Sequence, residues 1–381
     1  MNPRVQAISG SLIREIAAKR THTSVDLGLG EPSLAPNPVH LQSGFAHVEK
    51  HGLRYTVNAG DANLRERIAA HYAYPNLSSA DNVCVTTGSQ EATYVVLKTL
   101  LDPAKDELLI VEPSFPSYAK MAALEGVATR RVAMAEGDDF AYDPERILAA
   151  VGPQTRVVVI CSPCNPSARV ISSASVRRIS EGLERRGGAP VWVLHDEIYR
   201  EQTFCGDAGY FADVYPHTVV TNSVSKSNAL TGLRLGWALA PRDVAAGIVK
   251  THAWVTSCAD AFAQHVARSI FESGSLNEHS PWYAAQHAAV VTLLRDSGLR
   301  SIIPEGSFYA CVALPKGMDS LTAAHTLADT HGVIAIPGIA FGECFDGWLR
   351  LSWVGPIADV REGLARIARF CESYREAEVS F

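Results

Sequence analysis

The chain has 381 residues, which is long enough for one large hydrophobic core or for two domains. Hydrophobic residues make up 47% and charged residues 19%, an ordinary composition for a soluble globular enzyme. A formal net charge of −6 argues against nucleic acid or an anionic membrane as the main partner. No apolar run approaches the length of a transmembrane helix, so we predict no membrane association.

The N-terminal segment, residues 1–20, has no apolar core of signal-peptide length. Ile8, Leu12 and Ile16 recur at helical spacing among polar residues, which indicates an amphipathic arm. We expect this apolar stripe to dock on another subunit. The competing interpretation is an arm that folds onto its own chain.

Two short segments follow the arm. Residues 26–33 read DLGLGEPS, and two glycines before Glu-Pro suggest a backbone that must approach something closely, although a plain turn is equally compatible. Farther on, Asp61 is positioned to cap a helix that places Leu64 and Ile68 on its inner face.

A pattern then repeats along the chain, in which a β-branched apolar run ends in a polar or glycine-containing turn and a helical stretch often follows. The runs are residues 83–86, 108–111, 157–160, 191–194, 219–220 and 237–240. This alternation predicts a mostly parallel sheet covered by helices on both faces. Ligands bind beyond the carboxyl ends of such strands, and five successive strand ends carry unusual polar residues. We therefore predict one site there.

The stretch at residues 222–237 reads NSVSKSNALTGLRLGW, and it places Lys226 among hydroxyls and small residues after a buried strand. Desolvation would lower the pKa of this lysine and free its amine to form an imine. A surface loop that contains a lysine is the competing interpretation.

The sequence changes character near Ser273. Strands are predicted over 301–314, 332–336 and 348–353, with helices over 321–330 and 359–376, which indicates a smaller α+β unit. We predict an arm and part of the small domain in residues 1–40, a large domain in 41–273 and a small C-terminal domain in 274–381. A cleft between two such lobes is a usual place for a small-molecule site.

Cys161 and Cys164 form the one close cysteine pair, but Ser-Pro between them and Asn-Pro after them indicate a strand end and a turn. No second pair stands at zinc-ligand spacing, so we predict no metal site. We interpret the cysteines as small apolar residues in a reducing cytoplasm.

Ser223-x-x-Lys226, followed by Thr231-Gly232-x-Arg234-x-Gly236, resembles the lysine motif of the class I/II aminotransferases. These are pyridoxal-phosphate (PLP) enzymes of the aspartate-aminotransferase fold, fold type I. The resemblance extends over roughly residues 26–370. It implies an α/β fold with a large domain built on a mostly parallel seven-stranded sheet covered by helices, plus a smaller α+β domain.

The resemblance also implies roles for the residues around the PLP ring. Lys226 would carry PLP as an internal aldimine and then move the substrate's α-proton, while Asp196 would pair with the pyridine nitrogen. Asn165 and Tyr199 match residues that hydrogen-bond the phenolate oxygen, and Phe115 matches a stacking aromatic. A simple turn and core packing are the competing interpretations for Asn165 and for the two aromatic residues.

The phosphate turn of the family matches Gly88, Ser89 and Gln90, at the start of a predicted helix whose free N–H groups would attract an anion. Ser223 and Arg234 would complete the phosphate site, the arginine by a two-pronged contact. A surface ion pair is the competing interpretation for Arg234.

On the substrate side, the family places a glycine matched by Gly30 against the substrate and an arginine matched by Arg350 on the substrate carboxylate. Asn165 is expected to bind the substrate as well. An arginine that points to solvent is the competing interpretation for Arg350. Tyr55 matches a tyrosine that reaches the phosphate of the neighbouring subunit, which implies a homodimer with shared active sites; a packed surface tyrosine is the alternative.

Two departures from the family pattern stand out. The chain has Ala168 where the family's Asn-Pro-x-Gly has glycine, and it lacks a recognisable second arginine for a distal substrate carboxylate. We predict an aminotransferase that uses an α-amino acid and a 2-oxo acid. The alternatives are elimination, replacement or cyclisation on the same fold, and a PLP-binding regulator of transcription, for which we expect no room before the fold begins.

Overall fold

The computed structural model describes residues 1–379 of the chain. Its helices, in chain order, are α1 (Pro3–Gln6), α2 (Leu12–Ala17), α3 (Pro38–His51), α4 (Ala62–Tyr72), α5 (Ser89–Leu100), α6 (Ser117–Glu125), α7 (Pro144–Ala150), α8 (Ser173–Glu184), α9 (Val224–Ser227), α10 (Arg242–Val255), α11 (Ala261–Ser273), α12 (Ser280–Asp296), α13 (Ser320–Thr330) and α14 (Ile357–Val379). Its strands are β1 (Val25–Asp26), β2 (Val83–Thr86), β3 (Glu107–Glu112), β4 (Ala128–Ala133), β5 (Thr155–Cys161), β6 (Trp192–Asp196), β7 (Thr218–Ser223), β8 (Gly236–Leu239), β9 (Ser301–Ile302), β10 (Tyr309–Ala313), β11 (Val333–Ile334), β12 (Ile336–Pro337) and β13 (Trp348–Ser352).

Seven strands form one large sheet in the order β2-β8-β7-β6-β5-β3-β4. Every neighbouring pair from β7 to β4 is parallel, whereas β8 runs antiparallel to both β2 and β7. Parallel strands need a crossover between them, and helices supply most of these crossovers. The predicted α/β fold with a mostly parallel sheet is confirmed.

Helices cover both faces of this sheet. Successive residues of a strand point to opposite faces, and here they enter different hydrophobic cores. Val219 and Ala238 belong to the larger core, while Val220 and Trp237 belong to a second core that includes side chains of α4 and α11.

Asp61 caps α4 as predicted, because its Oδ1 accepts a hydrogen bond from the Leu64 N–H at 2.9 Å.

The apolar-run pattern does not predict β4, which is the outer strand of the sheet next to β3. This strand is exposed along almost its whole length and carries two arginines. Arg130 pairs with Glu107 at 2.8 Å and Arg131 pairs with Glu112. Charged side chains protect an edge strand from pairing with another chain. They also interrupt the apolar run, which is why the pattern does not predict β4.

The C-terminal unit contains a four-stranded sheet in the order β12-β13-β10-β9. The prediction of one strand over 301–314 is wrong, because β9 and β10 are separate antiparallel strands and Ser307 between them has a φ of 57°. The prediction of one strand over 332–336 is also wrong. The chain changes sheets there: β11 pairs with β1, and β12 pairs with β13.

Pairing of β1 with β11 joins the first part of the chain to the C-terminal unit. This contact supports the prediction that residues 1–40 contribute to the small domain. The boundaries at residues 40 and 273 stay a prediction.

The N-terminal arm forms two short helices rather than one amphipathic helix. Ser11 caps α2, since its Oγ accepts a hydrogen bond from the Arg14 N–H at 3.3 Å, and Ile8 lies between the helices. Ile16 is fully buried within its own chain, where α2 contacts β12 and α13. The expectation that Ile16 docks on another subunit is therefore wrong.

Candidate active site

A cavity of about 940 Å³ opens at the carboxyl ends of the large-sheet strands. Ten of the residues predicted from the sequence line it: Gly30, Ser89, Gln90, Phe115, Asn165, Asp196, Tyr199, Lys226, Arg234 and Arg350. Gly88, Ser223 and Tyr55 do not line it. Side chains from strands far apart in the sequence thus face one space, as the topology of a parallel sheet allows.

Lys226 lies on α9, a single helical turn that follows β7 directly. Its Nζ donates a hydrogen bond to the Gly30 carbonyl oxygen at 2.7 Å and lies 5.5 Å from the centre of the Phe308 ring. Burial lowers the pKa of Lys226 to about 8; Glu31 opposes this shift, and Arg350 and Arg234 add to it. An amine with such a pKa is neutral in an appreciable fraction of molecules at neutral pH, as a nucleophile requires.

Asp196 ends β6 and is 7% exposed. Its carboxylate accepts hydrogen bonds from the Tyr118 hydroxyl at 2.7 Å and from the Ile198 N–H at 3.2 Å, both of which are neutral donors. Burial raises the pKa of Asp196, and the two hydrogen bonds act against that shift. Within residues 1–379 no lysine or arginine pairs with this carboxylate, so it is suited to a cationic ligand group.

The predicted phosphate turn lies where β2 gives way to α5. Gly88 is the N-cap of α5, with a φ of 83° that favours glycine, and Ser89 and Gln90 form the first turn. The N–H groups of a first turn have no acceptor inside the helix, and they lie at its positive end. Together they form a site suited to an anion.

Two glycines let Arg234 and β8 approach this turn. A Cβ on Gly88 would lie 2.5 Å from Arg234 Nη2, and one on Gly236 would lie 2.4 Å from the Ser89 backbone nitrogen. Arg234 itself has a φ of 54°, a left-handed conformation that is unfavourable for a side chain of this size and is often found at functional sites. Its Nη1 donates to the Thr231 carbonyl oxygen at 3.0 Å.

Ser223 is buried behind the turn rather than exposed to the cavity. Its Oγ accepts a hydrogen bond from the Ser225 N–H at 3.1 Å, and so it caps α9. Ser225, which no sequence motif singles out, does line the cavity.

Asn165 and Tyr199 line the cavity, and each is at least 95% buried, being 5% and 4% exposed. Asn165 Oδ1 accepts a hydrogen bond from Arg350 Nη1 at 3.1 Å. The Tyr199 hydroxyl lies 3.0 Å from the Tyr309 hydroxyl. Phe115 is half-buried in the cavity wall, and its ring packs edge-on against Tyr118.

Arg350 occupies the middle of β13 and is 2% exposed. Besides Asn165, its guanidinium donates to the Gly28 carbonyl oxygen, while Nε is buried without a hydrogen-bond partner. Within the described part of the chain no carboxylate pairs with it, although a buried charge is costly unless it is paired. A guanidinium in this state is suited to a carboxylate ligand.

Tyr118 and Tyr309 are further functional candidates that sequence reasoning missed. Both carry hydroxyls that contact predicted site residues, and both are 2% exposed. In the sequence they occur in an ordinary helix and an ordinary strand, so no local pattern separates them from core aromatic residues. Tyr118 ends the polar turn EPSFPSY, residues 112–118, which marks the end of β3 but does not single out the tyrosine.

Ala168, the departure from the Asn-Pro-x-Gly pattern, keeps a backbone conformation that favours glycine. It has a φ of 59° and is fully buried. Its carbonyl oxygen accepts hydrogen bonds from the N–H groups of Glu305 and Gly306, which hold the turn against the C-terminal unit. The turn therefore forms with alanine in the left-handed region.

The family model described as "Aminotransferase class I and II" matches residues 23–367. The chain belongs to the class I and II aminotransferases. This aminotransferase is 30% identical over 383 residues to an aspartate aminotransferase of Pyrococcus horikoshii, a match that covers 97% of this chain and 96% of that protein. It is 29% identical over 352 residues to an arginine–pyruvate transaminase of Pseudomonas aeruginosa, covering 90% of this chain and 88% of that one.

Solved structures give the same picture. The aspartate aminotransferase of Thermus thermophilus with maleate superposes on this aminotransferase with a TM-score of 0.89 at 26% identity, covering 97% of this chain and 99% of that one. The predicted fold and the predicted enzyme class, a transferase of amino groups, are confirmed by these relatives.

The cavity of this aminotransferase fits PLP, the cofactor that the resemblance to its family implies. PLP carries a phosphate, a ring nitrogen that binds a proton and an aldehyde that reacts with amines. The turn at Ser89 with Arg234, the buried Asp196 carboxylate and the Lys226 amine each match one of these groups.

The described residues contain neither a helix that could cross a membrane nor a cluster of side chains that could hold a metal ion. No helix within residues 1–379 is long and apolar enough to cross a membrane. In the same part of the chain, no three histidine, cysteine, aspartate or glutamate side chains are grouped to hold a metal ion.

Proposed function

We propose that this aminotransferase holds PLP covalently on Lys226 Nζ and transfers an amino group between an α-amino acid and a 2-oxo acid. One observation carries the proposal: a lysine whose pKa burial lowers to about 8 faces a cavity lined also by Asp196, the Ser89 turn and Arg350. Two of these groups, Asp196 and Arg350, are buried charges with only neutral hydrogen-bond partners. Such charges cost stability, so their presence in one cavity favours a functional role over a structural one.

When bound, PLP supplies the electron sink that lets the α-carbon of an amino acid lose a proton. Once the substrate amine has replaced it on the aldehyde carbon, the freed Lys226 Nζ would take that proton and return it, since an amine with this pKa accepts and releases protons readily near neutral pH. Asp196 keeps a proton on the ring nitrogen, because the resulting ion pair relieves the burial of its carboxylate. Arg350 binds the substrate α-carboxylate through its planar fork of donors.

The remaining predicted residues position these groups. Ser89, Gln90 and Arg234 bind the phosphate, which fixes one end of the cofactor. Asn165 and Tyr199 would donate hydrogen bonds to the ring oxygen, and Phe115 would cover one face of the ring. Gly30 would lie against the substrate beside Lys226, and its carbonyl oxygen accepts a hydrogen bond from Lys226 Nζ at 2.7 Å.

Borohydride reduction tests the attachment directly. Purified protein should absorb visible light, and reduction should fix the cofactor on the peptide that contains Lys226, as read by mass spectrometry. Lys226→Ala should abolish turnover and still bind PLP through the phosphate site. Unchanged turnover in Lys226→Ala, or reduced cofactor found on another lysine, would contradict the proposal. A screen of amino donors for formation of the amine form of the cofactor then identifies the substrate.

We also propose a homodimer in which Tyr55 enters the partner's site. Tyr55 is 90% exposed, Leu53 is 66% exposed and Val57 is 63% exposed, all in one segment. Trp254 at the end of α10 is 88% exposed, and the neighbouring loop is attached to that segment because Asn58 Nδ2 donates to the Ser257 carbonyl oxygen at 2.7 Å. Clustered exposed apolar side chains mark an interaction surface, and this chain's family supplies the expected partner, a second copy.

We propose that the enzyme works in the cytoplasm. All eight cysteines are free, and four of them lie in strands or turns around the cavity or the adjoining sheets: Cys84, Cys161, Cys164 and Cys311. Free buried thiols persist in reducing compartments, which supports this location.

A further inference from the structure

Tyr309 lies at the junction of three groups to which the proposed function gives separate tasks. It begins β10 and is 2% exposed. Its hydroxyl is 3.0 Å from that of Tyr199, and its ring centre is 4.3 Å from Arg350 Cζ. A Cβ on Gly30 would lie 2.0 Å from the Tyr309 hydroxyl oxygen, so this side chain packs directly against the Gly30 backbone.

The ring of Tyr309 packs against the guanidinium of Arg350. The Arg350 guanidinium faces two aromatic rings, with Tyr309 at 4.3 Å and Phe341 at 5.0 Å from Cζ. Its hydrogen-bond acceptors in the chain, Asn165 Oδ1 and the Gly28 carbonyl oxygen, are neutral. In the absence of a carboxylate, aromatic faces are the remaining groups that favour a cation at this place and fix the plane of its fork.

The hydroxyl of Tyr309 bears on a different residue, Tyr199. A phenol has one hydrogen to donate, and it can accept from another donor at the same time. When Tyr309 donates to Tyr199, the hydrogen of Tyr199 is left for an acceptor in the cavity, and the chain of two hydroxyls makes Tyr199 a stronger donor. Both residues are at most 4% exposed, so removal of one hydroxyl leaves the other without a hydrogen-bond partner in a poorly solvated place.

We propose, on the basis of the proposed function, that Tyr309 is a positioning residue with two separable parts. Its ring orients Arg350 for the substrate carboxylate, and its hydroxyl orients Tyr199 for the ring oxygen of the cofactor. Tyr309 thereby connects the substrate site with the cofactor site through a single side chain.

Two variants of the full-length holoenzyme separate the two parts. Tyr309→Phe removes the hydroxyl and keeps the aromatic face, whereas Tyr309→Met removes both at similar volume. The matched control is Tyr215→Phe, which removes a buried hydroxyl that donates to the Val191 carbonyl oxygen at 2.7 Å, at the opposite end of the strands. Each protein is measured for its Kd for 3-phenylpropanoate, an unreactive carboxylate, and for the pH midpoint of the bound cofactor's visible absorbance.

We expect Tyr309→Phe to bind the carboxylate within about twofold of the wild type, because the aromatic face remains. Its absorbance midpoint should move to higher pH by about half a unit to one unit, since a weaker hydrogen bond from Tyr199 stabilises the deprotonated cofactor less. Tyr309→Met should show the same spectral shift together with a Kd about tenfold higher. Tyr215→Phe should change neither quantity.

A Tyr309→Phe protein with an unchanged midpoint would overturn the hydroxyl part. A Tyr309→Met protein that binds the carboxylate like the wild type, or a Tyr309→Phe protein that binds it as weakly as Tyr309→Met, would overturn the ring part. If Tyr309→Met does not fold, as judged by thermal unfolding, Tyr309→Leu takes its place. Failure of the proposed function is distinguished by the wild type itself, which would then lack the visible absorbance and the label on Lys226.

Discussion

The Asp196 carboxylate is buried between two neutral hydrogen-bond donors, the Tyr118 hydroxyl and the Ile198 N–H. This arrangement holds the carboxylate in one orientation without neutralising it. The negative charge is therefore available to a cation in the cavity, and it is the charge rather than the shape of the side chain that matters for the proposed chemistry.

Asp196→Asn keeps the shape and removes the charge. We expect the variant to bind PLP through its phosphate and to lose activity by at least about 100-fold, because the ring nitrogen no longer keeps its proton. Steady-state kcat/KM and cofactor absorbance measure the two effects. Tyr118→Phe is the companion variant, with a loss of about tenfold or less, since it removes one hydrogen bond and leaves the charge. A wild-type rate for Asp196→Asn would show that this carboxylate has another task.

The lowered pKa of Lys226 also affects the stability of the cofactor-free enzyme. Burial lowers this pKa from 10.5 to about 8, so between these values the unfolded chain binds a proton that the folded chain does not. The free energy of unfolding therefore rises with pH across this window. Relative to Lys226→Met, the wild type should gain about 2 kcal/mol between pH 8 and pH 10. Urea unfolding at the two pH values tests this, and parallel pH dependence of the two proteins would contradict it.

Single residues could be predicted from the sequence where a motif fixes their type and spacing. Lys226, Arg234 and Asp196 follow apolar strands at characteristic distances, and the structure brings them to one cavity. Tyr118 and Tyr309 could not be predicted, because their importance rests on a hydroxyl contact made between distant parts of the chain. The sequence also predicts Ser223 in the site, but Ser223 lies behind the cavity wall and Ser225 lines the cavity. Spacing along the chain does not say which of these two serines faces the cavity.

Strand β8 and the N-terminus of α5 are in direct contact at Gly236. This glycine pairs with Thr86 on one side and with Ser223 on the other, and a Cβ there would lie 2.4 Å from the Ser89 nitrogen and 2.6 Å from the Gly88 carbonyl carbon. Moving backbone atoms to make room for a Cβ would cost free energy, so only glycine at this position lets β8 lie directly against the proposed phosphate site.

Gly236→Ala should push β8 away from α5. We expect a loss of about 1–3 kcal/mol in the free energy of unfolding, as for other overpacked sites. The Kd for PLP should rise about tenfold or more, because the N–H groups of the Ser89 turn would be displaced.

Gly232→Ala is the matched control from the same stretch, since a Cβ on Gly232 would meet nothing within 4 Å. It should change stability by less than about 0.5 kcal/mol. Denaturant unfolding and cofactor titration measure both variants. Equal effects of the two substitutions would show that the contact at Gly236 is not what holds the site.

Elements could be predicted where burial imposes a continuous apolar run, as in β5 and β6, which are almost wholly buried. β4 could not be predicted in this way, because it pairs along one edge only and carries charged side chains. The sequence predicts β9 and β10 as one strand, and β11 and β12 as another, although each of these strands is separate in the structure. Their ends are set by which sheet the chain joins, and no local pattern encodes that choice.

The whole molecule is expected to be a dimer with shared sites, and a mixing experiment tests this. Chains with Lys226→Ala are combined with chains with Tyr55→Phe after reversible dissociation. In a mixed dimer one site would carry both substitutions and the other neither, so activity should rise above that of either parent, towards one intact site per mixed dimer. Turnover after mixing, normalised to the fraction of mixed dimers, is the measurement.

Two outcomes would contradict shared sites. One is no recovery of activity in dimers shown to be mixed. The other is an active enzyme that remains monomeric by sedimentation. Tyr215→Phe serves as the control in place of Tyr55→Phe, because its buried hydroxyl lies away from the exposed segment.

Arg350 gives the molecule as a whole one more property. This residue is 2% exposed, and its hydrogen-bond acceptors within the described residues are neutral, so the empty enzyme carries a buried charge that a substrate carboxylate would neutralise. A ligand that binds only the folded chain adds about 2.7 kcal/mol of stability at a concentration 100 times its Kd. Cellular proteases degrade the unfolded fraction, and that fraction falls as ligand accumulates. The lifetime of this enzyme in a cell should therefore lengthen when its own amino-acid substrate is plentiful, without any dedicated regulator.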